Sequence, residues 1–191
     1  MRVFISGGCK NGKSFYAQHL AMVLRMAKKQ KRKAFYYIAT MKLVDAEDDK
    51  RILGHRRERE GWEFITVEQP FNIEGILDKC DHNGTFLLDS LTALLANEMF
   101  PPGGVPKEHA AQKIKGGLLQ IANNVRDMVI VSDYIYSDAL LYDPLTENYR
   151  KSLAEIDRAA AESCDVVLEA AYTNIIVHKG REMFGNLCGH I

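Results

Sequence analysis

Residues 7–14 read Gly7-Gly8-Cys9-Lys10-Asn11-Gly12-Lys13-Ser14 and follow directly on Arg2 to Ser6, a run suited to a short buried strand. The octet fits G-x-x-x-x-G-K-[ST] at every fixed position. A loop that wraps phosphate needs glycines, because they permit positive φ angles and let consecutive backbone N–H groups approach an anion closely. The lysine then reaches the β- and γ-phosphates, and the serine hydroxyl can ligate Mg²⁺. A helix starting near Lys13 points its positive end at the same anion. The plain alternative is an ordinary glycine turn between a strand and a helix. Strand, loop and helix fall here in the order that phosphate binding requires, so the spacing predicts a nucleotide-binding P-loop.

The remainder of the chain narrows the class. Its 191 residues are most simply one domain, 1–191, long enough to bury a core. Lysine plus arginine and aspartate plus glutamate stand at 25 each, which gives no electrostatic case for nucleic acid or an anionic membrane. Cys9, Cys80, Cys164 and Cys188 are scattered and form no C-x-x-C pair, a usage that suits a reducing compartment. The N-terminus enters a strand at once, leaving no room for a signal peptide, and no apolar run approaches the ~18 residues of a membrane span. A soluble cytoplasmic protein is expected.

After the loop, Phe15 to Gln30 has a helical period, with Leu20, Val23, Leu24 and Ala27 on one face, and ends in the basic cluster Lys28 to Lys33. That cluster reads as a solvated helix end. Ala34 to Thr40, Glu63 to Glu68, Thr85 to Asp89 and Asp127 to Ser132 read as strands. Helices are expected over Asp45 to Glu60, Asn72 to Cys80, Leu91 to Met99, Lys107 to Asn124 and Thr146 to Cys164. Pro101 to Pro106 is a loop, Tyr134 to Pro144 is irregular and aromatic, and Asp165–Glu169 with Asn174–His178 close the chain as two strands suited to a hairpin. Strands alternating with helices imply an α/β fold of the P-loop NTPase type, with three layers around a mostly parallel central sheet. Ligands of such sheets sit at the carboxyl ends of the strands, which gathers Ser6 to Ser14, Thr40, Glu68, Asp89 and Asp133 on one rim.

Two candidates for chemistry stand beside the loop. An acidic residue ending a neighbouring strand can hold Mg²⁺ through water; Asp89 has that form and Asp133 is the competitor, while either could simply cap the following helix. In the charged helix, Arg51, His55 and Arg59 share one face at i, i+4 and i+8. Flanking cations disfavour imidazolium, which would leave His55 neutral and available as a nucleophile or base, and the same cations could steady phosphates. On spacing alone, a solvated helix laced with Arg–Glu pairs is the better reading. His19, His82, His109, His178 and His190 form no metal-like pair and read as structural or surface residues.

Taken together, the N-terminal strand with GGCKNGKS, Tyr37-Ile38-Ala39-Thr40, Arg51-Ile52 with His55-Arg56 and Arg59, Trp62, Thr66-Val67-Glu68-x-Pro70, Leu88-Asp89-Ser90-Leu91-Thr92 and Asn97 resemble a family of cobalamin biosynthesis. This is the bifunctional adenosylcobinamide kinase / adenosylcobinamide-phosphate guanylyltransferase family. The resemblance implies phosphorylation of the aminopropanol hydroxyl of adenosylcobinamide by a nucleoside triphosphate. GMP then passes from GTP to a histidine of the enzyme, which His55 matches, and on to adenosylcobinamide phosphate. It implies GTP, ATP and Mg²⁺ as cofactors, with Ser14 and Asp89 at the metal and His55 and Lys13 catalytic. The family's nucleotide contacts fall on Gly7, Gly8, Cys9, Lys10, Asn11, Gly12, Lys13 and Ser14, on Ala39, Thr40 and Met41, on Arg56, Arg57, Glu58 and Arg59, and on Glu68 and Asp89. A homo-oligomer and a corrinoid substrate are implied as well. In the second half Asp133-Tyr134-Ile135-Tyr136 replaces the family's usual Asn-Glu-Val-Gly, and Ala154-Glu155-Ile156-Asp157-Arg158 replaces Gly-x-x-Asn-Gln. A related P-loop kinase or nucleotidyltransferase acting on another small acceptor is the alternative reading.

Overall fold

The computed structural model describes residues 1–27, 34–42, 61–172 and 174–188. Seven strands form one sheet in the order β3-β2-β4-β5-β1-β6-β7. They are β1 (Arg2–Gly7), β2 (Phe35–Ala39), β3 (Ile65–Glu68), β4 (Thr85–Asp89), β5 (Asp127–Asp133), β6 (Val166–Ala171) and β7 (Asn174–Lys179). All neighbouring pairs are parallel except β6–β7, which is antiparallel. The α/β class and the mostly parallel central sheet read from the sequence are thus what the chain forms.

Alternation along the strands explains the layers. Side chains one apart point to opposite faces, and in the central strands both faces are apolar, as a parallel sheet covered on both sides requires. Phe4, Tyr36, Ile38, Phe86, Leu88, Met128 and Ile130 join one core cluster. Val3, Ile5, Phe35, Tyr37, Leu87, Val129 and Val131 join the other. Helix α1 (Lys13–Ala27) covers the second face through Ala17, Leu20, Ala21 and Leu24, with Leu187 of the C-terminal helix beside it. The first face is covered by the 3₁₀ helix Ile73–Asp78 and by α2 (Leu91–Met99), α3 (Ala110–Asn124) and α4 (Pro144–Ser163).

Several boundaries move for identifiable reasons. Helix α4 starts at Pro144, two residues before the expected Thr146. Asp143 Oδ1 accepts from the N–H groups of Leu145 (3.0 Å) and Thr146 (3.2 Å), and proline suits a position that needs no N–H. The expected helix over Asn72 to Cys80 is a 3₁₀ turn, Ile73–Asp78, and the helix expected from Lys107 begins at Ala110. The two strands expected to close the chain are followed by a further helix, α5 (Arg181–Cys188); Gly180, at φ 75°, turns the chain from β7 into it. The helix expected over Asp45 to Glu60 and the basic cluster Lys28 to Lys33 lie outside the described residues. Among the described residues, no helix is long and apolar enough to cross a membrane.

Candidate functional site

The carboxyl ends of β1, β2, β3, β4 and β5 form one rim. In register, Gly7 stands between Asp133 and Ala170, and Ala39 stands between Glu68 and Asp89. The loop leaves β1 at Gly7, where an added Cβ would collide with the Ala170 carbonyl, so only glycine allows the strand to end this close to β6. Asn11 then ties the loop down. Its Nδ2 donates to the Ala170 carbonyl and its Oδ1 accepts from the Lys13 N–H at 3.3 Å. Gly12 holds φ 83°, and the first helical bond follows, from the Tyr16 N–H to the Gly12 carbonyl at 3.0 Å.

Lys13 is almost wholly buried, at 6% exposure. An ammonium group removed from water needs compensation. Among the described residues its partners are the Gly8 carbonyl at 3.2 Å and Asp133 Oδ1, in an ion pair. Asp133 is fixed in turn, since its N–H donates to Thr92 Oγ1 at 2.9 Å. Tyr149 Oη donates to the Thr92 carbonyl at 2.9 Å, which fastens α4 to the start of α2. Ser14, next along α1, is half-buried.

Two strands from the loop, Asp89 Oδ2 accepts from Tyr37 Oη at 2.9 Å. The Thr40 hydroxyl accepts from the Ser90 N–H and donates to the Ser90 carbonyl, both at 2.7 Å. Asn97 Nδ2 donates to the carbonyls of Thr40 (2.7 Å) and Pro70 (3.1 Å). Thr40 is fully buried, so its side chain braces β2 against the β4–α2 turn. Met41 is half-buried and Glu68 is exposed on the same rim.

Beneath Asp133 lies a second acidic group that sequence reasoning did not assign. Asp157 projects from α4 at 3% exposure, and burial pushes its carboxyl up to about 7. The Ser132 and Tyr136 hydroxyls pull the other way, and the Asp133 charge adds to the rise. Tyr136 Oη donates to Asp157 Oδ2 at 3.1 Å, and burial raises the Tyr136 phenol. The signal was present in the sequence: Asp157 falls on the apolar stripe of Leu153, Ile156 and Ala160.

Of the residues singled out from the sequence, the fold brings Gly7 to Ser14, Ala39, Thr40, Met41, Glu68, Asp89 and Asp133 to one rim. Arg51, His55, Arg56, Arg57, Glu58 and Arg59 lie outside the described residues. Among the described residues no group of three or more histidine, cysteine or acidic side chains is placed to hold a metal.

A parallel sheet whose first strand runs into a glycine loop, with the loop lysine turned onto the rim, defines a P-loop α/β protein. The family model for cobinamide kinase / cobinamide phosphate guanyltransferase matches residues 3–173, and the chain belongs to that family, whose members are transferases of cobalamin biosynthesis. No curated protein sequence matches the chain significantly. Among solved structures, a KaiC-like protein from the hyperthermophilic archaeon Pyrococcus horikoshii OT3 superposes with a TM-score of 0.47 at 13% identity, over 95% of this chain and 79% of that one.

Proposed function

We propose that this chain is a single-domain kinase and guanylyltransferase, which phosphorylates the aminopropanol hydroxyl of adenosylcobinamide and then converts the phosphate to the GDP adduct. The observation that carries the reading is the buried Lys13 at the mouth of the glycine loop, in a chain whose family match runs through residues 3–173. In the first step the acceptor hydroxyl oxygen bonds to the γ-phosphorus of ATP or GTP and releases its proton to water, the bond to the β–γ bridging oxygen breaks, and a nucleoside diphosphate leaves. Lys13 and the loop N–H groups neutralise charge on the transferring group. In the second step a ring nitrogen of His55 bonds to the α-phosphorus of GTP and pyrophosphate leaves. An oxygen of adenosylcobinamide phosphate then displaces His55, so one difficult transfer becomes two. Arg56, Arg57 and Arg59 supply cations for the phosphates, with Glu58, Glu68, Ala39, Thr40 and Met41 completing the nucleotide contacts.

The donor set also suits Mg²⁺. Ser14 and Asp89 offer hard oxygen ligands, and Mg²⁺ characteristically takes one or two protein oxygens and completes its shell with phosphate and water. When bound it would neutralise phosphate charge.

The test is covalent labelling. GTP radiolabelled on its α-phosphate, with Mg²⁺, should leave an acid-labile, base-stable label on the protein that His55→Ala abolishes. Undiminished labelling of the His55→Ala variant would remove the histidine intermediate. Labelling without any phosphorylation of adenosylcobinamide would favour a nucleotidyltransferase with a different acceptor.

A further inference from the structure

The single tryptophan of the chain, Trp62, stands with Phe15 and His19 in a cluster of three rings at the start of α1. Phe15 directly follows Ser14, yet it is 60% exposed, so the first turn of the helix that leaves the glycine loop turns a large apolar face to solvent. One helical turn on, His19 donates from Nδ1 to the Phe15 carbonyl at 3.0 Å, the carbonyl being an acceptor only. That bond sets the imidazole edge-on to Phe15, with centroids 4.3 Å apart. Trp62 closes the other side, edge-on to His19 at 4.5 Å and to Phe15 at 6.5 Å. Behind Trp62, Phe64 lies parallel to it at 6.5 Å and stacks on Phe35 of β2 at 3.9 Å. The cluster is anchored in the core at one end and open at the other.

A lone exposed phenylalanine on a helix is ordinary. The position of this one is not. The leading N–H groups of a helix lack intrahelical partners and are what a phosphate caps. A triphosphate whose β- and γ-phosphates met Lys13 would bring its α-phosphate to the first turn, and its nucleoside would then have to leave on the side where Phe15 stands.

We propose that Phe15 and Trp62 form a stacking platform for the purine base of the nucleotide held by the Gly7–Ser14 loop, with His19 fixing the angle between the rings. The inference rests on the nucleotide reading given above. Stacking is tolerant of base identity because every base has a π-face. Such a platform therefore serves ATP and GTP alike, and discrimination between them falls to polar groups elsewhere.

Trp62 is its own reporter. The full chain is titrated in Mg²⁺ buffer with GTP, with ATP and with inorganic tripolyphosphate, which fills the loop but carries no base. Both nucleotides should quench Trp62 fluorescence and tripolyphosphate should not. Phe15→Ala, at an exposed position, should weaken both nucleotides about tenfold and leave tripolyphosphate binding unchanged; Phe15→Tyr should restore the nucleotide affinity. If tripolyphosphate raises the melting temperature while the nucleotides bind no tighter and leave Trp62 unmoved, the platform is wrong and the phosphate loop stands. An equal loss of tripolyphosphate and nucleotide binding in Phe15→Ala overturns the platform too. If none of the three ligands binds, the nucleotide reading falls and the platform with it.

Discussion

Asp89 and Asp133 end adjacent strands of the same rim, each behind an apolar run, and their carboxylates have different partners. Asp133 is ion-paired with the loop lysine. Asp89 instead accepts a hydrogen bond from Tyr37, at the β4–α2 turn that Thr40 and Ser90 lock to β2. Strand order is the cause. β5 lies between β1 and β4, so Asp133 is one strand from the loop and Asp89 is two. Two residues with the same local pattern therefore have different electrostatic tasks. Asp133 compensates Lys13 at the place an incoming phosphate would claim. Asp89 keeps its carboxylate apart from that cation, as the proposed oxygen ligand of Mg²⁺ must.

The sharpest break of this contrast is removal of the cation that both aspartates are measured against. Lys13→Ala should lower phosphoryl transfer about a thousandfold, by analogy with loss of a preorganised donor. Nucleotide should also cease to raise the melting temperature. A variant that retained turnover would separate the loop from the chemistry. The aspartates are then compared directly by isosteric replacement. Asp89→Asn should reduce turnover about a hundredfold, with partial recovery as Mg²⁺ is raised. Asp133→Asn should act in the opposite sense. With its competitor neutralised, Lys13 should bind GTP about fivefold more tightly, corresponding to about 1 kcal/mol for a partly exposed ion pair. If Asp133→Asn instead lost turnover and demanded more Mg²⁺, the two aspartates would exchange roles.

The same contrast shows what a sequence discloses. The octet Gly7–Ser14 and the strand that ends at Asp89 are visible without coordinates, because a loop motif and an apolar run are local patterns. So were the parallel sheet, from the alternation of strands with helices, and the β6–β7 hairpin. The Lys13–Asp133 pair joins positions 120 residues apart, and only the order of strands makes them neighbours. The Thr92–Tyr149 link that steadies Asp133 has no local signature at all. Helix α5 escaped notice because Arg181 to Cys188 is short and holds Gly185 in its middle, which weakens the helical pattern. Its packing through Leu187 against α1 is a tertiary effect.

A smaller effect tests whether the rim charges reach the core. Helix α4 carries two aspartates with opposite shifts. Asp143, exposed at the N-cap, is held below the usual carboxylate range by the Thr146 hydroxyl and backbone, whereas burial lifts Asp157 to about 7. Asp157 faces Tyr136 and Ser132, and it feels the charge of Asp133 beyond them. Between the unfolded carboxylate value of about 3.9 and about 7, the native protein binds a proton that the unfolded chain does not. The contribution of Asp157 to stability is therefore highest below that window, falls as pH rises through it, and is lowest above pH 7. Asp157→Asn keeps the shape and removes the buried charge. Its melting temperature relative to the wild type should rise by about 2–4 °C between pH 5 and pH 8, corresponding to about 1 kcal/mol of the contribution lost over that part of the window. A difference that stayed constant between the two pH values would mean that the Tyr136 and Ser132 hydroxyls keep Asp157 ionised throughout.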